Sequence, residues 1–243
     1  MKEHPDFTYE GYRELLALLR NEGYAFASYH DWAQQDRPVI LRHDIDYDVT
    51  AALKFAQVEA DFGAKSTYFA LLRNGLYNCL SPENIALLKN IASLGHDIGL
   101  HFDEKAYPAG SDMMAAIQWE ARVLSDMLEL PITSVSMHRP SEACLKGNWE
   151  IPGMVNSYDR TYFNQPFKYV SDSRRRWREP VYSVIRSGDH SRLHVLTHAF
   201  WYHDTASTLK GTIQAFVDTA PNNRKALLAQ NFTDLDDVLA EGE

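Results

Sequence analysis

Pro38-Val39-Ile40-Leu41-Arg42-His43-Asp44-Ile45-Asp46 is an apolar run that turns abruptly polar at its end. Side chains alternate along a strand, so Arg42, Asp44 and Asp46 share one face while His43 and Ile45 take the other. Two carboxylates this close repel unless a cation or a shared proton offsets their charge. The pair therefore suits a metal ligand beside a general base. Downstream, Val49 to Phe62 reads as a helix closed by Gly63, and Ser66 to Leu71 as the next buried strand. Ser81-Pro82 opens another helix, with serine as N-cap and proline at the first helical position. That helix carries Ile85, Leu88 and Ile91 and stops at Gly95. Upstream, Thr8 to Glu22 has apolar residues at helical spacing and ends at Gly23.

The alternation continues. Asp97 to Asp103 is a short strand, and a helix follows from about Asp112 to Leu128. Val135-Ser136-Met137-His138 and Leu193-His194-Val195-Leu196-Thr197-His198 are strands that end in histidine. Apolar strands alternating with helices imply a parallel sheet covered by helices. The number of units predicts an α/β fold with a distorted, closed or nearly closed (β/α) barrel rather than an open doubly wound sheet. Asn148 to Pro180 is rich in Tyr, Trp and Arg and reads as an elaborated loop region. Leu209 to Leu228 and Phe232 to Glu243 read as helices. No repeat or linker divides the 243 residues, which are taken as one catalytic domain.

The net charge of −9 argues against a nucleic-acid or anionic-membrane partner. No apolar run approaches membrane-spanning length, and no apolar core follows the charges of Met1-Lys2-Glu3-His4-Pro5-Asp6. A cytoplasmic protein is expected. Cys79 and Cys144, without CxxC spacing, read as reduced structural thiols.

In a parallel barrel the active site lies at the carboxyl ends of the strands. In Gly95-His96-Asp97-Ile98-Gly99-Leu100-His101-Phe102-Asp103, alternation leaves Gly99, His101 and Asp103 on one face. Gly99 would leave room for a ligand or metal near the backbone, making His101 a candidate imidazole ligand. His96 falls at the opposite end of the strand and reads as structural. His138 beside Arg139 is a ligand or proton carrier next to a fixed cation. His198, followed by Ala199-Phe200-Trp201, suits a general acid shielded from water.

These motifs, in this order, resemble the NodB-homology polysaccharide deacetylases, carbohydrate esterase family four, in a divergent branch with a His-Asp-x-Asp first motif. The similarity runs from about Pro38 to His198. Gly95-His96-Asp97-Ile98-Gly99-Leu100-His101 is similar to the family's Gly-His-Glu-Ile-Gly-Asn-His signature. His138-Arg139-Pro140-Ser141 looks like its Arg-x-Pro motif, Asp172 with Trp177 its Asp…Trp motif, and Leu196-Thr197-His198 its Leu-x-His motif. The resemblance implies a divalent metal, usually zinc, held by one Asp and two His, and hydrolytic removal of an acyl group, N-acetyl above all, from an amino sugar. The substrate would be a polysaccharide or nucleotide-sugar intermediate. Carried over by position, Asp44 is the base, Asp46 and His101 are metal ligands, and His198 is the acid. Arg139 and Asp172 would orient the base and the acid.

Two departures matter. The family's adjacent Asp-Asp is here Asp44-x-Asp46, so which carboxylate is ligand and which is base stays open. The second metal histidine falls at Lys105, and His138 is expected to replace it, with Asp103 and Glu104 as alternatives. Without a replacement the chain would be a degenerate, carbohydrate-binding relative; an amidase on a non-sugar substrate is the other alternative. Tyr158, Tyr162, Phe163, Trp177, Phe200 and Trp201 are candidates to stack on sugar rings, with ordinary loop packing as the competing reading.

Overall fold

The computed structural model describes residues 2–163 and 166–240. It comprises two compact units, Met1–Asp204 and Thr205–Glu243.

The first unit is built on eight parallel strands: β1 (Ala25–Ala27), β2 (Pro38–Ile45), β3 (Thr67–Leu71), β4 (Asp97–Phe102), β5 (Ser134–Met137), β6 (Val155–Asn156), β7 (Lys168–Ser171) and β8 (Leu193–Thr197). Their order is β6-β5-β4-β3-β2-β8-β7, with β1 paired to the start of β2. β2 is thus central, bonded to β3 on one side and β8 on the other. A flat sheet would hold β2 and β5 about 14 Å apart at its usual strand spacing. Yet Ser136 Oγ on β5 donates to Asp44 Oδ1 on β2 at 3.2 Å. The sheet is therefore rolled into a distorted half-barrel, with no ladder joining β6 to β7 among the described residues.

The helices of this unit follow from local chemistry. In α1 (Tyr9–Asn21) the Thr8 side chain accepts from Gly11 N, and in α2 (Val49–Phe62) Asp48 accepts from Thr50 N, with Gly63 at φ +71° closing the helix. Ser81 caps α3 (Pro82–Ser93) and Asp112 caps α4 (Met113–Leu128). The region expected to be loop, Asn148 to Pro180, holds one short helix, α6 (Arg160–Phe163), besides β6 and β7, and is flanked by α5 (Glu142–Gly147) and α7 (Val181–Arg186).

The predicted alternation has a packing consequence. Val39, Leu41 and Ile45 of β2, Ile98, Leu100 and Phe102 of β4, and Leu193 and Val195 of β8 join one large core with the helices. The opposite face closes around a second cluster, Tyr29, Ile40, Phe69, Tyr162 and Phe167, inside the barrel. Gly99 lies against this cluster. A Cβ there would come within 2.5 Å of the Phe69 ring and 2.7 Å of Ser134 Oγ. The space the glycine leaves is therefore filled by Phe69, not kept for a ligand.

Cys79 and Cys144 are buried free thiols, each pushed up to about 12 by burial. The second unit holds α8 (Leu209–Leu228), capped by Thr208 and containing Pro221, and α9 (Leu235–Ala240). The end of the expected helix Phe232–Glu243, residues 241–243, lies outside the described residues. Among the described residues no helix is long and apolar enough to cross a membrane.

Candidate metal centre and proton-transfer pair

The carboxyl ends of the strands surround a cavity of about 1040 Å³. Asp44, Asp46, His101, His138 and His198 all line it. Asp46 follows the last residue of β2, and hydrogen bonds to the backbone here pin its position. Asn74 Nδ2 donates to its carbonyl at 2.9 Å, and Tyr77 OH donates to the Ile45 carbonyl at 2.8 Å. His101 sits within β4, and its Nδ1 donates to the Ser136 carbonyl at 3.2 Å, which leaves the Nε2 lone pair facing the cavity. His138 follows β5, anchored by its backbone N–H on the Phe102 carbonyl at 2.7 Å.

The three side chains meet. Asp46 Oδ1 lies 3.2 Å from His101 Nε2 and 3.2 Å from His138 Nδ1, and the two ring nitrogens are 3.1 Å apart. At these ion-pair distances Asp46 Oδ1 is buried and makes no well-aligned hydrogen bond among the described residues. The edges of this triangle are close to the roughly 3.3 Å expected between ligand atoms about 2.0–2.1 Å from a tetrahedral ion. Two imidazoles and one carboxylate are also the donor set that zinc prefers. The residues present fit a divalent metal. Burial alone would raise the Asp46 carboxyl, but His101 and His138, then His198, hold it far below the usual carboxylate range.

The other candidates for third ligand are engaged elsewhere. Asp103 pairs with Arg139, and Glu104 accepts from the backbone N and the hydroxyl of Ser141 at the start of α5. Lys105 is exposed, its backbone N–H on Asp103 Oδ1 at 3.1 Å. His138, from the next strand, stands within the triangle instead.

Asp44 is differently placed. Arg42, two residues earlier on the same face, grips it with Nε on Oδ1 at 2.9 Å and Nη2 on Oδ2 at 2.8 Å. Arg42 is wholly buried, and its guanidinium carbon stands 4.7 Å from the Tyr158 ring centroid. Burial would raise the Asp44 carboxyl, but Arg42 and then His101 bring it down to about 2. Arg139, expected to orient the base, is a correction. Its backbone sits at φ +49°, its side chain is 59% exposed, and its guanidinium goes to Asp103. Arg42 occupies the place beside Asp44. Strand alternation puts Arg42 on Asp44's face, and that is the sequence signal for it.

His198 follows β8 and Asp172 follows β7. Nδ1 of His198 donates to Asp172 Oδ1 at 2.7 Å, while the His198 backbone N–H and the Tyr202 hydroxyl donate to Oδ2 at 3.2 and 3.1 Å. The other ring nitrogen stands 3.8 Å from Asp46 Oδ2. Burial alone would lower this imidazole, but the hydrogen bond and charge of Asp172, with Asp46 and Asp44 behind, push it up to about 9.

His96 bonds to Ser66 and the Ala56 carbonyl, away from the cavity. His43 faces the helices, where Glu59 accepts from it at 2.8 Å and also from Tyr12, Ser66 and Tyr68. Sequence reasoning misses this buried carboxylate on α2, because a lone Glu in a helix carries no signal of burial. Of the aromatic candidates, Tyr158, Phe163 and Trp201 line the cavity. Tyr162 and Trp177 belong to the cores, and Phe200 packs on Tyr47 at 4.5 Å.

A parallel half-barrel thus carries, at the carboxyl ends of its strands, an Asp-His-His triangle beside a hydrogen-bonded His-Asp pair. No protein-family model and no curated protein matches the chain. Among solved structures, carbohydrate esterases of family 4 and polysaccharide or chitin deacetylases recur as similar. A family 4 carbohydrate esterase from Bacillus anthracis shares 15% identity over 95% of this chain and 88% of its own, with a TM-score of 0.44. The chitin deacetylase of Colletotrichum lindemuthianum shares 14% over 82% and 86%, at 0.45. A pseudoenzyme of the same family from Bacillus anthracis shares 14% over 76% and 64%, at 0.44. At such scores the fold rests on the strand order and cross-barrel contacts, and the chemistry on the site.

Proposed function

We propose that the protein is a metal-dependent hydrolase that removes an acyl group, N-acetyl in the first instance, from an amino sugar. The observation that carries this reading is the convergence, in one cavity, of the Asp46-His101-His138 triangle with the His198–Asp172 pair. Asp46, His101 and His138 would hold the metal, zinc by donor set; when bound it polarises an acyl carbonyl and acidifies water. Asp44, kept ionised and aimed by Arg42 and Ser136, accepts the proton of the attacking water. His198 delivers a proton to the departing nitrogen, while Asp172 fixes its tautomer and stabilises its cationic form. Tyr158, Phe163 and Trp201 line the cavity and give a sugar ring apolar walls beside the polar site.

The test joins elemental analysis with acetate release from a panel of N-acetylated sugars and simple amides. Purified protein is expected to carry about one zinc per chain, the stoichiometry of a single four-coordinate site. Asp46→Ala, His101→Ala and His138→Ala should each lose most of it while remaining folded. Wild-type zinc content in all three variants, or no acetate from any sugar with the metal bound, overturns the reading. Acetate from simple amides alone would replace the sugar by a non-sugar amide.

A further inference from the structure

The chain as a whole is acidic, at −9, yet its cavity is ringed by cations. Arg73 follows β3, Lys105 follows β4, Arg139 follows β5, and Arg174 and Arg178 follow β7; all five line the same cavity. They come from four separate loops at the carboxyl ends of the strands, so the ring is a property of the site rather than of one basic segment. Of these five cations, the acidic groups lining the cavity cancel only Arg139. Asp44 is neutralised by Arg42, Asp46 belongs to the donor triangle, Asp103 is taken by Arg139, and Glu179 by Lys168 at 2.5 Å. Lys105, Arg174 and Arg178 are exposed and have no ion-pair partner among the described residues.

The backbone adds a second observation. Arg174 and Arg175 stand consecutively at φ +59° and +57°, and Arg139 at +49°. Left-handed backbone is disfavoured for residues with a Cβ, and at Arg174 it places a cationic side chain in the cavity lining, while Arg175 stands over the Phe7 ring at 5.0 Å. Lys105 fits the same account: with His138 completing the donor triangle, this position can supply charge instead of a ligand. A ring of this sign in an acidic protein attracts and holds an anion, and planar guanidinium groups match phosphoryl oxygens in pairs. The cavity lies at the upper end of the usual size for small-molecule sites, with room for more than the reacting sugar.

We infer that the substrate is an amino sugar bearing a phosphoryl group, which Lys105, Arg174 and Arg178 bind at the rim while the acyl group lies at the donor triangle. This rests on the sugar-deacetylase reading for the identity of the sugar, but its test does not need turnover. Equilibrium binding is measured by calorimetry at low salt for N-acetylglucosamine, N-acetylglucosamine 1-phosphate and N-acetylmuramic acid, whose charge is a carboxylate. The phosphorylated sugar is expected to bind at least tenfold tighter than the neutral one, and this preference should shrink as salt is raised. Arg174→Asn with Arg178→Gln, both at exposed positions, should abolish most of the preference, and the preference should survive removal of metal by a chelator.

Equal affinity for the neutral and phosphorylated sugars overturns the inference, as does a preference that survives the double substitution. A preference that vanishes on chelation places the phosphate on the metal and also overturns it. Tighter binding of N-acetylmuramic acid than of the phosphate replaces the phosphoryl commitment by a carboxylate. Acetate release without any anion preference sinks this inference alone. A rim-dependent preference without acetate release from any sugar sinks the deacetylase reading and leaves the anion site standing.

Discussion

An amide nitrogen cannot leave as an anion, so a tetrahedral intermediate without an acid nearby expels water and returns to substrate. In the proposed reaction that acid is His198, and its neighbours favour proton delivery, since Asp172 accepts from Nδ1 and leaves the other ring nitrogen toward the cavity. The raised value of this imidazole keeps it protonated at neutral pH, and a divalent cation at Asp46 would draw it down toward the working range of an acid catalyst. His198→Ala is therefore expected to keep its zinc and lose a factor of about 10²–10⁴ in amide turnover. Activated esters, whose leaving groups need little protonation, should escape most of that loss. Equal losses on both substrates, measured as kcat/KM, would remove His198 from the acid role. At this scale the sequence is informative wherever a side chain ends an apolar run. Asp44, Asp46, His101, His138 and His198 are all visible that way. Arg42 is on the same face but has no role in the family pattern, whose arginine falls at Arg139 beside the later histidine motif.

Elements make these residues coincide. Only glycine fits at position 99 of β4, where an added Cβ would overlap the buried Phe69 ring and Ser134 Oγ. Phe69 cannot swing aside, because it lies between Gly99, Tyr29 and the Arg42 guanidinium, which is 5.6 Å from its centroid. Gly99→Ala should therefore cost about 1–3 kcal/mol in urea unfolding, the usual range for overpacking a core. A change under about 0.5 kcal/mol, typical of a tolerant surface site, would show that the barrel interior yields there. The long strands and helices are legible because alternation and 3.6-residue spacing need only a few residues to declare themselves. β6 and β7 are not. Two residues and four residues, set among aromatics and arginines, are too short for a period to emerge, and their strand character comes from pairing with β5 and β8. The same holds for the three residues of β1.

Across the first unit, the barrel interior carries polar groups whose protonation couples to folding. His194 on β8 is wholly buried; its Nδ1 donates to the Tyr162 carbonyl at 3.0 Å and its Nε2 accepts from Tyr29 OH at 2.7 Å. Burial, with Arg42 adding to it, lowers this imidazole to about 3. The unfolded chain therefore takes up a proton near pH 6.5 that the folded chain refuses, and stability falls as pH drops through that value. At pH 5 the loss from this group alone is on the order of 2 kcal/mol. His194→Gln, which cannot titrate, should flatten the decline in unfolding free energy between pH 7.5 and 5 by that amount; an unchanged slope would refute the assignment.

The gap between β6 and β7 has a consequence of its own. In a closed barrel, strand number and stagger together fix the radius, so the bore can change only in discrete steps. Here the two edges meet through stacked rings, Tyr158 on Phe163 at 4.9 Å and Phe163 on Tyr169 at 4.2 Å, instead of a ladder. Rings can slide or be exchanged for larger or smaller ones without unpairing any strand. The girth of the mouth is thus a continuous variable, set by the three side chains that span the slit and by the length of chain that crosses it.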